Sequence, residues 1–139
     1  PFQLISDEVF DLRLHYILPH YHGIGERFRL EIAGGERDGE ALYDEVNLYG
    51  HPQGRTFDEP ISLGDIGAHG FRFLCGYNNT TEETVGWGIG DQEMCVMLGF
   101  AESAVRYDLT IPETDELGVD EEGIYTRSGP CEIVPIPTL

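Results

Sequence analysis

The sequence lacks lysine. Its basic residues are 8, all of them arginine, against 26 acidic residues, and the formal net charge is −18. Binding a nucleic-acid backbone needs a stripe of Lys or Arg side chains, so this balance argues against nucleic acid as a partner. It also argues against attraction to an anionic lipid membrane. Composition leaves open whether the acidity serves solubility, a salty habitat or a basic partner.

Long apolar runs are missing as well. No stretch approaches the roughly 20 residues that span a bilayer, so no membrane-spanning segment is expected. The chain opens at Pro1 without an initiator methionine or a signal-peptide pattern, as expected of a mature or excised form. With 139 residues, 40% of them hydrophobic, the chain is predicted to fold as a single domain over 1–139.

Cysteine is sparse and odd in number. The three residues are Cys75, Cys95 and Cys131, and no CxxC pair occurs, which disfavours a zinc ribbon or a thioredoxin-type site. Spacing alone leaves two alternatives open, one disulfide with a leftover thiol or three buried thiols. A disulfide would place the protein outside the cytosol.

Helical periodicity is also absent, and 18 Gly with 8 Pro interrupt the chain every few residues. Apolar and polar residues instead alternate with period two, most clearly over 10–18 and 27–33. In 10–18 the even-numbered side chains are predicted to share the buried face. The predicted strands are 10–18, 27–33, 42–49, 69–77, 93–100 and 104–109, and 61–66 is predicted to be a short strand that enters a turn at Gly64-Asp65. Several short strands separated by turns predict an all-β fold, a sandwich or a barrel.

Two later segments differ from the rest. Residues 110–123 carry six acidic side chains and few apolar ones, with a spacing that does not match a calcium-binding loop. We expect an acidic, solvated loop there. The tail over 130–139 contains three prolines and is expected to form an extended edge or a strap over the sandwich.

The pair His20-x-His22 is the first candidate for chemistry. Residues i and i+2 of a strand point to the same face, so these two imidazoles can reach one metal ion. Pro19 just before them disrupts strand pairing, and Gly23 and Gly25 just after leave room for a ligand. The same spacing also suits two ordinary surface or core histidines. Tyr21, between the pair, is expected to face away and pack.

Met94 is the second candidate, and Met97 is the only other methionine. Taken alone, a methionine in a strand is usually core filler. Two imidazoles with one thioether would favour copper, because soft sulfur suits Cu(I) and the nitrogens accommodate Cu(II). Zinc prefers His, Cys and carboxylate. An open site of this kind suits a redox-active copper with a vacant position for oxygen or substrate. Trp87 nearby would either line the site or pack against the core.

Three segments carry a family resemblance: Cys75-Gly-Tyr-Asn-Asn-Thr80, Thr84-Val-Gly-Trp-Gly-Ile-Gly90 and Glu93-Met-Cys-Val96. With a His-x-His upstream, they resemble in their order the second domain of the copper type II, ascorbate-dependent monooxygenases. This is the family of dopamine β-monooxygenase and peptidylglycine α-hydroxylating monooxygenase. The similarity covers about 12–101, and its Glu-Met-Cys end is the most specific part.

The resemblance implies a copper site and a reaction. His20, His22 and Met94 correspond to the ligands of the catalytic copper, where oxygen is reduced and a C–H bond is hydroxylated. The implied reductant is ascorbate or another external donor, and the implied substrate is a small molecule or a peptide.

The resemblance also implies a fold and a compartment. Cys75 and Cys95 correspond to a disulfide that braces the strand carrying the methionine, which leaves Cys131 unpaired. The family fold is an antiparallel β-sandwich of jelly-roll type, in agreement with the strand pattern. An extracellular or periplasmic location follows from the disulfide.

The departure from the family concerns electrons. Complete members have a further copper domain, with three histidines, that supplies electrons. Here His15, His51 and His69 are scattered and are expected to be surface or supporting residues. One copper delivers one electron, whereas monooxygenation consumes two, so another domain, protein or small reductant would have to supply the rest.

Three hypotheses follow. The chain is a monooxygenase-type copper domain that depends on an external electron donor, or a module that carries or relays copper without oxidising a substrate. The third alternative is a structural sandwich whose site has decayed, which the intact spacing of the ligands disfavours.

Overall fold

The computed structural model describes residues 12–47, 51–104 and 114–130, and the backbone of 106–110 and 132–136. Its strands are β1 Leu12–His20, β2 Gly25–Ala33, β3 Ala41–Val46, β4 Arg55–Ser62, β5 Gly70–Tyr77, β6 Val96–Ser103, β7 Arg106–Thr110, β8 Asp115–Val119, β9 Tyr125–Ser128 and β10 Glu132–Ile136. The all-β prediction is confirmed. Within the described residues, no helix is long and apolar enough to cross a membrane.

The chain divides into two compact units, one over 8–102 and one that includes the residues from Ser103 onward. The first unit contains two three-stranded sheets, ordered β4-β1-β6 and β3-β2-β5. The second contains the antiparallel pairs β7–β10 and β8–β9. All three predicted copper ligands belong to the first unit. That the whole chain forms one copper-binding domain stays a prediction.

Both sheets of the first unit contribute to one hydrophobic core. Phe28, Leu30 and Ile32 of β2 are fully buried, as the alternation over 27–33 predicts. Leu14 and Ile17 bring β1 of the other sheet into the same cluster. Two sheets that share their inner faces in this way form a β-sandwich. The jelly-roll connectivity stays a prediction.

The alternation along β1 departs from the predicted pattern. Leu14 is buried, but the next fully buried residue is Ile17, and His15 and Tyr16 between them are both half-buried. The register between β1 and β4 shifts at this point, since Leu14 pairs with Ile61 and Tyr16 with Thr56. An irregularity of this kind exchanges the faces of the residues that follow it. The predicted burial of the even-numbered residues is therefore wrong beyond Leu14.

Strand β4 begins earlier than predicted. It spans Arg55–Ser62, whereas the sequence pattern predicted a short strand that starts only at Ile61. The turn predicted at Gly64-Asp65 is confirmed, because 63–67 form a turn. Pro60 obscured the strand, because proline cannot donate a ladder hydrogen bond. Since β4 lies at the edge of its sheet, it tolerates this residue.

The second unit also refines the prediction. The expected acidic loop over 110–123 contains β8, which pairs with β9 as a hairpin, although its side chains are solvent-exposed as expected. In the proline-rich tail, β10 pairs with β7, so this part forms the extended edge that was one of the two expected alternatives.

One disulfide links the two sheets of the first unit. Cys75 lies in β5, Cys95 directly precedes β6, and their Cα atoms are 5.8 Å apart. The pairing that the resemblance implies is confirmed. The bond is compatible with an oxidising compartment. Cys131 lies outside the described residues.

Removing this disulfide should destabilise the first unit. The bond closes a loop of 20 residues, and loss of that restraint on the unfolded chain is worth about 3 kcal/mol. The double variant Cys75→Ser, Cys95→Ser should lose about this much unfolding free energy in urea. Wild type with reductant should match the double variant. A double variant as stable as the oxidised wild type would contradict the prediction.

Candidate copper site

The two candidate histidines lie in the connection between the sheets. His20 ends β1, and His22 precedes the turn that leads into β2. Their ring centroids are 5.3 Å apart and their planes nearly perpendicular, at 87°. Two imidazole nitrogens bound to one metal lie about 3–4 Å apart, which this ring separation permits. Tyr21, between them, is 3% exposed and packs in the core, as predicted.

A hydrogen bond fixes the tautomer of His22. Its Nδ1 lies 2.5 Å from the backbone carbonyl oxygen of Gln92. A carbonyl oxygen can only accept, so Nδ1 carries a proton, and in the neutral ring Nε2 then keeps its lone pair. Metal-binding histidines are oriented in the same way, with the other ring nitrogen donating to a carbonyl or carboxylate. Nε2 is therefore the nitrogen of His22 that a metal would bind.

Glu93 holds the backbone of the same connection. Its carboxylate is buried, with only 8% of the residue exposed. Oε2 accepts the N–H of His22 at 2.7 Å, and Oε1 accepts the N–H of Ile24 at 2.9 Å. Each backbone donor therefore has a charged acceptor, the stronger class of hydrogen bond. Because Met94 is the next residue, the segment of the third candidate ligand is fixed directly beside His22.

The glycine-rich segment closes around Glu93. The N–H of Glu93 donates to the carbonyl of Gly86 at 2.9 Å, and the N–H of Gly88 donates to the carbonyl of Glu93 at 3.0 Å. The N–H of Gly86 in turn donates to the side-chain oxygen of Gln92 at 2.6 Å. The result is a parallel bridge between Trp87 and Glu93. This loop is therefore tied to the residues that orient His22.

Tyr77 of β5 supports the Met94 segment from another side. Its hydroxyl donates to the backbone carbonyl of Met94 at 2.6 Å. Burial raises the pKa of Tyr77, and the nearby charge of Glu93 adds to the effect. The phenol therefore stays protonated and keeps donating. Next to Met94, Cys95 is fixed by its disulfide to Cys75, so this backbone is held at two successive residues.

These contacts place His22, with the ring of His20 beside it, next to the backbone segment that carries Met94. Among the described residues, no group of three or more His, Cys, Asp or Glu side chains could hold a metal. A set of two histidines and one methionine is of a different kind, and its assignment to copper stays a prediction.

The three other histidines do not gather into a second site within the described parts of the chain. His15 lies in β1 with its Nε2 buried, 3.3 Å from Oε2 of Glu102 but without the angle of a hydrogen bond. His51 is exposed in the segment before β4. The backbone N–H of His69 donates to the carbonyl of Ala33 at 2.8 Å, directly before β5.

Sequence reasoning missed the roles of Gln92, Glu93 and Tyr77. Glu93 entered only as part of a motif, and its partners lie about 70 residues away along the chain. The available signal was local: an acidic residue three positions before strand β6, between a methionine and a glycine-rich segment.

Substitution of Glu93 should destabilise the fold. Glu93→Ala leaves two half-buried backbone donors without this acceptor, at a cost of about 2–4 kcal/mol, and Glu93→Gln keeps one good acceptor and should lose about half as much. Glu83→Ala is the control, because Glu83 is exposed, and it should stay within about 0.5 kcal/mol of wild type. Urea unfolding measures all three. Equal stabilities for Glu93→Ala and Glu83→Ala would contradict this role.

Removing the hydroxyl of Tyr21 should not destabilise the fold. The hydroxyl is buried and has no hydrogen-bond partner in the described part of the chain, so Tyr21→Phe should raise stability by up to about 1 kcal/mol at neutral pH. Tyr43→Phe is the matched control, because its hydroxyl donates to the Gln53 carbonyl at 2.8 Å, and it should lose about 1 kcal/mol.

The Tyr21→Phe variant also allows a second measurement, the loss of stability at alkaline pH. Burial, with a smaller effect of Tyr43, raises the pKa of Tyr21 from 10.0 to about 12. The unfolded chain then releases this proton first, so wild type should lose stability as the pH rises from 10.0 to about 12. Tyr21→Phe should lose less over that interval. An identical decline in both proteins would argue against a buried phenol.

Comparison with known proteins finds no matching family model, no matching curated protein and no matching solved structure. The resemblance to the copper monooxygenases therefore rests on the motifs quoted above.

Proposed function

We propose that the chain binds one copper ion through His20, His22 and Met94 and acts as a monooxygenase-type domain that receives electrons from outside. The observation that carries the proposal is the hydrogen bond from His22 Nδ1 to the Gln92 carbonyl. It leaves Nε2 free for a metal, and it comes from the segment that also carries Met94.

The donor set fits copper in both oxidation states. Two imidazole nitrogens suit Cu(II), and the thioether of Met94 adds affinity for Cu(I). Three protein ligands leave a coordination position for oxygen or another small molecule. Copper bound there would supply the reduction of dioxygen and the hydroxylation of a C–H bond, the chemistry of the family that the sequence resembles.

The surrounding residues would orient the ligands. Gln92 sets the ring of His22, Glu93 fixes the backbone at His22 and Ile24, and Tyr77 holds the carbonyl of Met94. Behind the histidines, Tyr21 is buried in the core and excludes water from that side. Partners of this kind commonly change metal affinity by 10-fold to 100-fold in sites where they have been removed, as an order of magnitude.

Electrons would come from ascorbate, another external reductant or a donor domain or protein. The need arises because hydroxylation consumes two electrons and one copper delivers one. The substrate would be a small molecule or a peptide. An extracellular or periplasmic location agrees with the disulfide between Cys75 and Cys95.

A second candidate function is a copper carrier or electron-transfer module that oxidises no substrate. The dispersed positions of His15, His51 and His69 favour it, because among the described residues these histidines join no group of three or more His, Cys, Asp or Glu side chains. Substrate-dependent oxygen uptake with ascorbate distinguishes the two functions.

The two methionines provide a matched test of the copper site. Met94→Leu keeps the size and removes the thioether, so Cu(I) affinity should fall about tenfold or more while Cu(II) affinity changes less. Met97→Leu should leave both affinities unchanged, because Met97 packs against the core. Competition titrations against chelators specific for each oxidation state measure the four constants.

The histidines complete this test. His20→Ala or His22→Ala should abolish the binding of one copper per chain, measured by metal analysis after dialysis. Copper retained by both histidine variants would overturn the proposed site. An equal loss of Cu(I) and Cu(II) affinity in Met94→Leu would argue against a thioether ligand.

A further inference from the structure

Two large apolar side chains project from the glycine-rich loop beside the proposed copper site. Trp87 is 77% exposed and Ile89 is 86% exposed. Isolated exposed apolar residues are ordinary, but two of them on one loop with a polar surround are typical of an interaction surface. We call residues 82–91 the Trp87 loop.

Hydrogen bonds hold the base of this loop. The residues on both sides of Trp87, Gly86 and Gly88, bond to the backbone of Glu93, and Gly86 also bonds to the side chain of Gln92. Trp87 is therefore presented from a fixed backbone. A rigid aromatic side chain loses little conformational entropy on binding, which is one reason that tryptophan is frequent in interface hot spots.

The charge of the loop differs from that of the neighbouring sheet. Glu82, Glu83 and Asp91 are exposed, and none of the ion pairs among the described residues includes them. The sequence contains no basic residue between Arg72 and Arg106. The apolar pair thus lies among unneutralised carboxylates, and the complementary surface is basic with an apolar centre.

The same loop offers a short route from the surface to His22. Trp87 is covalently joined to Gly86 and Gly88, these bond to Glu93 and Gln92, and Gln92 bonds to the His22 ring. A partner seated on Trp87 would therefore be linked to a proposed copper ligand through hydrogen bonds and a few residues.

We infer that the Trp87 loop is the docking surface for a basic, one-electron donor protein. The inference rests on the proposed copper site for the partner's role, while the docking itself rests on the exposure and charge of the loop. The step is a transfer of one electron. The donor is oxidised by one electron and Cu(II) at the proposed site is reduced to Cu(I), with no bond broken and no proton required.

The first experiment tests docking on the metal-free chain, with a lysine-rich c-type cytochrome as the probe. In an NMR titration of the ¹⁵N-labelled chain, the largest shifts should fall within 82–91. The dissociation constant should rise about tenfold between about 10 mM and about 150 mM salt, because salt screens the attraction between the charges. Trp87→Ser should raise the dissociation constant about tenfold or more, as expected for a hot spot.

Leu117→Ser provides the matched control. Leu117 is 65% exposed on β8, beside Glu116, so it combines an exposed apolar side chain with an acidic neighbour outside the loop. The affinity of the Leu117→Ser variant for the cytochrome should stay within about twofold of the wild-type affinity. Shifts spread evenly over the acidic surface, or an equal effect of Leu117→Ser and Trp87→Ser, would overturn the inference.

The second experiment uses the copper-loaded chain. Reduction by the ferrous cytochrome, followed at the haem absorbance, should be about tenfold slower for Trp87→Ser, while reduction by ascorbate should be unchanged. An unchanged cytochrome rate would overturn the donor role. If wild type docks the cytochrome but binds no copper, the proposed function and the donor role both fail, and the docking surface stands.

Discussion

The buried carboxylate of Glu93 is the contact on which the candidate site depends. A carboxylate taken out of water is costly unless its oxygens are paired, and here the partners are the backbone N–H groups of His22 and Ile24. The pairing joins two segments 71 residues apart along the chain. The turn after His22 is thereby bonded directly to the segment that precedes Met94. Together with the backbone bonds between Glu93 and the glycine-rich segment, this carboxylate fixes the Gln92 carbonyl that orients the ring of His22.

Other contacts reinforce that arrangement from strand β5. The hydroxyl of Tyr77 bonds to the carbonyl of Met94, and the disulfide from Cys75 reaches the next residue, Cys95. A metal ligand must be held within about 0.5 Å of its working position, and a loop residue rarely meets that condition unaided. Here the backbone on either side of Met94 is fixed by different kinds of bond. The arrangement would orient the proposed ligand in a carrier and in an enzyme alike.

Local patterns in the sequence predicted the fold better than they predicted the site. The alternation over 27–33 identified the buried face of β2, because a regular strand repeats every two residues. The same rule failed beyond Leu14 in β1, where the register with β4 shifts, and the shift depends on a partner strand some 40 residues away. The role of Glu93 was hidden for the same reason. Its motif was visible, but hydrogen bonds to a backbone segment far away in the chain produce no periodic pattern in the sequence.

The distribution of arginine gives the net charge of −18 a more specific meaning. On the sheet of β2, arginines pair with nearby carboxylates, as Arg29 and Arg72 do with Glu31, so much of that face is locally neutralised. Such exposed pairs add little stability, but they remove charge from the surface. The Trp87 loop has no basic neighbour in sequence, and none of the ion pairs in the described part of the chain includes its carboxylates. Because opposite charges attract over about a Debye length, a basic partner would be drawn to the unpaired regions first. Of these regions, the loop is the one bonded to residues that orient His22, which is why a docking partner there would matter to the proposed copper site.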